Sequence, residues 1–103
     1  MGVESVEWDN VKADANEKKH EGLTFEEAAE VFDDPFALEK YDGLHSTAEE
    51  SRYIVIGRIK RQVVTLVVYT PRGEKRRIIS ARYATSNERK AYYDRLRKIY
   101  SSL

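Results

Sequence analysis

Two stretches, Lys18-Lys19-His20 and Arg76-Arg77-Ile78-Ile79-Ser80-Ala81-Arg82, hold the residue types best suited to chemistry. Imidazole titrates near neutral pH, so His20 can exchange a proton with a ribose hydroxyl or a leaving oxygen while Lys19 neutralises phosphate charge beside it. Asn16 lies one helical turn earlier, where it can orient His20 or touch the same group. Two or three guanidiniums converging on one phosphate would stabilise the added negative charge of a pentacoordinate transition state without a metal. Strand alternation sets Arg76 and Arg82 on one face with Ile78 and Ser80, and Arg77 on the other with Ile79 and Ala81. Both stretches also have a plain structural reading. Cations at a helix C-terminus are favoured by its negative pole, and arginines snorkel over a sheet edge.

Several chemistries are missing from the sequence. There is no cysteine, hence no thiol nucleophile, zinc knuckle or disulfide. His20 and His45 stand apart with no metal-ligand spacing, and the five glycines are scattered singly rather than gathered into a phosphate loop. Neither a metal nor a cofactor is expected. His45 falls in a polar stretch and reads as exposed surface. The longest apolar run, Val63 to Tyr69, is far short of the roughly 20 residues that cross a bilayer, and no signal-like segment follows Met1. A cytoplasmic protein without membrane contact is the simplest expectation.

Charge is unevenly distributed, although 18 basic and 18 acidic residues cancel overall. Residues 1–51 contain 15 acidic and 4 basic side chains, and residues 52–103 contain 14 basic and 3 acidic ones. So dense a basic half, with Arg58, Lys60, Arg61 and Arg76 among its members, resembles a polyanion-binding surface, unless the two halves pair with each other. Tyrosine is frequent, with seven residues. Near the C-terminus Arg89, Tyr93, Arg97 and Tyr100 fall on one helical stripe, suited to unstacked RNA bases or to a protein partner. Tyrosines bridging core and solvent explain the same pattern.

The elements that must position these residues can be read from periodicity. With 103 residues, 41% of them apolar, the chain suits one folded domain spanning 1–103. Val3 to Trp8 alternates as a short strand, and Asp9 caps a helix from about Asn10 to His20 that Gly22 ends. Thr24 and Glu27 form a capping box for a second helix, whose stripe is Phe25, Ala28, Ala29 and Phe32 and whose stop is Asp34-Pro35. A short strand over Phe36 to Tyr41 precedes three runs, Arg52 to Ile59, Gln62 to Thr70 and Lys75 to Arg82, whose short connections argue for an antiparallel meander. The middle run is apolar on both faces and belongs at the sheet centre. Thr85 and Glu88 cap a last helix docking through Tyr92, Leu96, Ile99 and Leu103. The expected fold is α+β, in the order β-α-α-β-β-β-α: an antiparallel sheet of three to four strands, two N-terminal helices and one C-terminal helix.

Taken together, Glu7-Trp8-Asp9, Lys12, Asn16-Glu17-Lys18-Lys19-His20, Phe25-Glu26-Glu27-Ala28, Phe32, Glu50-Ser51-Arg52, Gly57, Arg77-Ile78-Ile79-Ser80-Ala81-Arg82-Tyr83-Ala84, Glu88 and Tyr92 closely resemble the BrnT toxin family. The resemblance implies a RelE-like ribonuclease toxin of a bacterial type II toxin–antitoxin pair. It would cleave RNA without metal by 2′-hydroxyl attack, arrest growth, and be neutralised by a BrnA-like ribbon-helix-helix antitoxin that contacts operator DNA. Carried over by residue, Lys19, His20, Arg77 and Arg82 would be catalytic. Arg52 and Tyr69 would join Arg58, Lys60, Arg61 and Arg76 on RNA, and Arg89, Tyr93, Arg97 and Tyr100 would meet the antitoxin. Glu21 departs from the family pattern, which runs from Lys-His directly into Gly. The alternative is a non-catalytic antitoxin-binding partner that helps repress its own operon.

Overall fold

The computed structural model describes residues 5–102, so the expected strand residues Val3 and Glu4 and the docking residue Leu103 lie outside the described part. Its elements are β1 (Val6–Trp8), α1 (Asn10–Lys19), α2 (Phe25–Ala28), a 3-10 turn (Ala29–Asp33), β2 (Leu38–Tyr41), β3 (Tyr53–Arg58), β4 (Val64–Arg72), β5 (Lys75–Tyr83) and α3 (Ser86–Ser101). Among the described residues the strands form one sheet in the order β1-β5-β4-β3-β2. This corrects the expected three to four antiparallel strands: there are five, and β1 runs parallel to β5, with Val6, Glu7 and Trp8 opposite Arg76, Arg77 and Ile78. The second N-terminal helix is also shorter than its stripe suggested. One α turn capped by the Thr24–Glu27 box tightens at Ala29 into 3-10 geometry, which ends before Asp34-Pro35.

Strand β4 sits at the centre, as its two apolar faces demand, and the sheet is covered unequally. On one face Val55, Val67, Tyr69, Ile78 and Ala81 pack against Leu23, Phe25, Ala28, Ala29 and Val31 from α2 and its flanks. On the other face α3 covers only one end, where Tyr92 is buried with Val64 and Ala84 and is flanked by Phe36, Ile56, Tyr93 and Leu96. Gly57 allows the close approach on the first face, since a Cβ there would lie 3.1 Å from Val31 Cβ and 3.2 Å from Ala37 Cβ. Asp34 ties the layers together. Its Oδ1 accepts from the Phe36 N–H at 2.9 Å, and its Oδ2 accepts from the Arg58 N–H at 2.8 Å and the Tyr92 hydroxyl at 2.6 Å. Burial first, and Asp34 second, push the Tyr92 phenol well above its ordinary value, so it stays a donor.

A β-bulge changes the faces of β5. Val68 pairs with Ser80 and Tyr69 with Ile78, leaving Ile79 as the extra residue. Strict alternation fails across it, which puts Ile78 and Ala81 both in the core. Arg76 therefore lies on the helix-covered face and Arg82 on the opposite one, correcting the expectation that they share a face.

Candidate active site

Helix α1 is fixed to the sheet by Asn16. Its side-chain amide donates to the Ala81 carbonyl at 2.9 Å, and its Oδ1 accepts from the Ala81 N–H at 3.1 Å. Ala81 has these groups free because β1 pairs with β5 only as far as Ile78. The asparagine thus acts as one more rung of the ladder, and it is buried. Holding α1 there sets His20, one turn on, beside Arg82. The Asn16 amide is taken up by the Ala81 peptide and so fixes the end of α1.

Past Lys19 the helix ends at its cap residue, His20, and the Gly22 N–H bonds the Glu17 carbonyl at 2.8 Å in the Schellman manner. Glu21 occupies the position that normally takes glycine, at φ 55°, and Gly22 follows at φ 79°. Glu21 is therefore held in a left-handed turn. Glu21→Gly is expected to raise stability by about 0.5–1 kcal/mol, visible as a higher melting temperature. An unchanged or lower value would show that Glu21 makes a compensating contact.

The uncovered part of the second sheet face forms a groove of about 630 Å³. Ile54 and Ile56 of β3 with Leu66 and Val68 of β4 make an apolar floor. The rim is polar and cationic: Lys19 and His20 from α1, Lys40 from β2, Arg82 from β5, Asp42 and His45 from the loop after β2, and Glu88 from α3. The Arg82 guanidinium donates to both Glu88 carboxylate oxygens, at 2.7 and 2.9 Å. Glu88 also caps α3, accepting the Thr85 N–H at 2.8 Å. Hydrogen bonds from Arg82, opposed by desolvation and aided by the Thr85 amide, hold the Glu88 carboxyl down at about 2. A carboxyl whose pKa is depressed by folding stabilises fully above its unfolded value near 4.5, and that stabilisation disappears as pH falls towards 2. Glu88→Gln should accordingly flatten the dependence of melting temperature on pH across that window; curves parallel to the parent protein's would contradict the assignment. Among the described residues no three His, Asp or Glu side chains gather as a metal-ligand set.

A family model described as the ribonuclease toxin BrnT of type II toxin–antitoxin systems matches residues 8–88, a span that includes Lys19, His20, Arg82 and Glu88. The chain belongs to the BrnT family of ribonuclease toxins. Membership carries RNA as substrate and an antitoxin as partner. Among solved structures the chain is similar to the BrnT ribonuclease toxin of Brucella abortus, at 25% identity and a TM-score of 0.56, over 79% of this chain and 96% of that one. Comparison with curated protein sequences gives no match.

The remaining expected residues of this BrnT-family chain are dispersed. Arg77 is absent from the groove lining and bonds Glu7 on β1 at 2.7 Å. It stands five residues from Arg82, roughly 16 Å along the strand, and outside the groove that Arg82 borders. Tyr69 is buried in the core, and the half-buried Arg76 guanidinium lies over it, 4.7 Å from the Phe32 ring centre and 5.7 Å from that of Tyr69, on the face away from the groove. Arg61 bonds Glu27 at 2.8 Å and also the Tyr83 hydroxyl. Arg52 pairs with Glu50, while the main chains of Arg58 and Lys60 are held by Asp34 and Glu30. Part of the charge split is thus internal pairing, with Glu7–Arg77, Glu27–Arg61 and Glu50–Arg52 joining the two halves.

The α3 stripe is only partly free. Tyr93 is half-buried, packed against the second core cluster edge-on to Tyr92, whereas Arg89 is exposed and bonds the Ala84 carbonyl and Ser86. Arg97 pairs with Asp94, and Tyr100 is exposed beside Phe36. Lys40, Asp42, His45 and the rim position of Glu88 are site features that strand and helix periodicity do not reveal. Three of these four lie at the end of β2 or in the irregular loop beyond it. Among the described residues no helix is long and apolar enough to cross a membrane.

Proposed function

We propose that the groove cuts RNA by attack of the ribose 2′-hydroxyl on the adjacent phosphorus, leaving a 2′,3′-cyclic phosphate and a 5′-hydroxyl, with no metal in the step. One observation carries this reading: Lys19, His20, Lys40 and Arg82 come from three separate elements and face one groove with an apolar floor. Arg82 binds the scissile phosphate and stabilises the charge that grows on it. Its forked pairing with Glu88 supports that role, because a carboxylate and a phosphate accept the same pair of parallel N–H bonds. Lys19 and Lys40 neutralise neighbouring phosphates, the apolar floor takes a base, and His20 transfers a proton.

Arg77 has no step in this scheme. Its place on β5, paired with Glu7, suits a structural duty. The antitoxin of the pair would be a BrnA-like ribbon-helix-helix protein and would carry the contacts to operator DNA. Docking over the cationic rim with an acidic or amphipathic segment would block the groove.

Long RNA incubated with the antitoxin-free protein in excess EDTA tests the chemistry. Fragments ending in 2′,3′-cyclic phosphate are expected. Uncut RNA, or fragments with 3′-hydroxyl and 5′-phosphate ends, would overturn the scheme.

A further inference from the structure

A second histidine borders the groove from the side away from His20. The imidazole Nδ1 of His45 lies 2.8 Å from Asp42 Oδ2, and the His45 N–H donates to Asp42 Oδ1 at 3.4 Å. Both residues line the groove together with His20 and Arg82. Between the two histidines run β4 and β3, which provide the floor, while β5 and β2 flank it about three strand spacings apart. By register Arg82 stands level with Leu66, Ile56 and Leu38, four residues short of Asp42, so the two ends face each other diagonally across the floor, roughly 20 Å apart between backbones. Side chains reaching in from both ends would shorten that span around one phosphodiester linkage and its riboses.

The loop that carries His45 is clamped without using its ring. Ser46 Oγ donates to the Asp42 carbonyl at 2.6 Å and accepts from the Arg52 N–H at 2.8 Å, and the Asp42 N–H bonds the Arg52 carbonyl at 2.8 Å. The imidazole itself is open, with a side-chain exposure of 63%. An exposed histidine–carboxylate pair contributes little to stability, so holding up the loop does not account for it. Desolvation pushes the Asp42 carboxyl up, but the bonds from the His45 ring and main chain outweigh it and hold the group below its ordinary value. An ionised carboxylate only accepts, so the hydrogen sits on Nδ1 and the lone pair is left on Nε2.

We propose that His45, its tautomer fixed by Asp42, is the general base that opens the reaction, with His20 as the acid across the groove. This rests on the reading of the groove as the RNA-cutting site. Nε2 of neutral His45 takes the 2′-hydroxyl proton, the 2′-oxygen bonds to phosphorus, the bond from phosphorus to the 5′-oxygen breaks, and protonated His20 gives its proton to that oxygen. His45 ends protonated and His20 neutral, and exchange with water restores both. Asp42 is a positioning residue. The other charged groups lining the groove with His45 are Lys40 from β2, Lys19 from α1, Arg82 from β5 and Glu88 from α3.

The test compares an RNA oligonucleotide that the parent protein cuts with the same oligonucleotide carrying sulfur in place of the 5′ bridging oxygen, a leaving group that needs no proton. His45→Ala and His45→Gln are expected to lose about 100-fold on both substrates, whereas His20→Ala loses a similar factor on the oxygen linkage and regains most of it on sulfur. Asp42→Asn should lose about tenfold and shift the limb of the pH–rate profile that reports the base. If the parent protein cuts while the His45 variants stay within threefold of it, or if sulfur rescues His45→Ala, the proposed base is wrong and the groove reading stands. If the antitoxin-free parent leaves both RNAs whole, the groove reading and this proposal fall together.

Discussion

Arg82→Ala should slow RNA cleavage by about 100-fold or more, while Arg77→Ala stays within a few-fold of the parent protein. Both residues lie on β5 and both are paired with a carboxylate, so local sequence does not separate them. Location does. Arg82 borders the groove beside His20, whereas Arg77 bonds Glu7 at the far end of the strand. Arg82→Ala leaves Glu88 free to keep capping Thr85, so circular dichroism should be preserved and the lost cleavage read as a catalytic defect. Growth arrest on induction should disappear with Arg82 and persist without Arg77. Equal losses in the two variants would mean that the phosphate sits elsewhere on β5.

Asn16→Ala carries the largest expected cost in stability. Two hydrogen bonds to a buried peptide group are lost, and both the N–H and the carbonyl of Ala81 lose their partner, a cost of roughly 2–4 kcal/mol. For a domain of this size that corresponds to a melting temperature lower by roughly 10–20 °C. Asn16→Asp should be nearly as damaging, because a carboxylate cannot donate to the Ala81 carbonyl and a charge would be buried. Cleavage should fall more steeply than the folded fraction, since α1 also sets His20 against Arg82. A melting temperature within 3 °C of the parent protein would show that other contacts hold α1 in place.

Local signals were enough to read much of this arrangement, and they failed where distant segments decide. The Asp9, Thr24 and Thr85 caps and the central β4 follow from spacing and residue type, whereas the meeting of His20 with Arg82 is implied only by the family resemblance. The parallel union of β1 with β5 does not, because three residues carry too little pattern to name their partner. Nor does the bulge at Ile79, which moves Arg82 to the face opposite Arg76 and overturns simple alternation. Arg76 and Tyr69 are residue types common at surfaces, yet Tyr69 is buried edge-on to Phe32 and Arg76 lies half-buried over the same ring. Asp42 and His45 lie in a loop ordered by side-chain and main-chain bonds around Ser46, which leave no periodic trace.

The claim on which everything else depends is that RNA lies in the groove between β5 and β2. Uncleavable 2′-O-methyl RNA titrated into isotopically labelled, antitoxin-free protein tests it directly, by following side-chain and backbone NMR shifts. Saturable changes should centre on Lys19, His20, Lys40, His45 and Arg82, with Arg72, Arg76 and Arg77 undisturbed. Changes centred instead on Arg97 and Tyr100 of α3 or on the turn around Gly73, with the groove silent, would contradict the account.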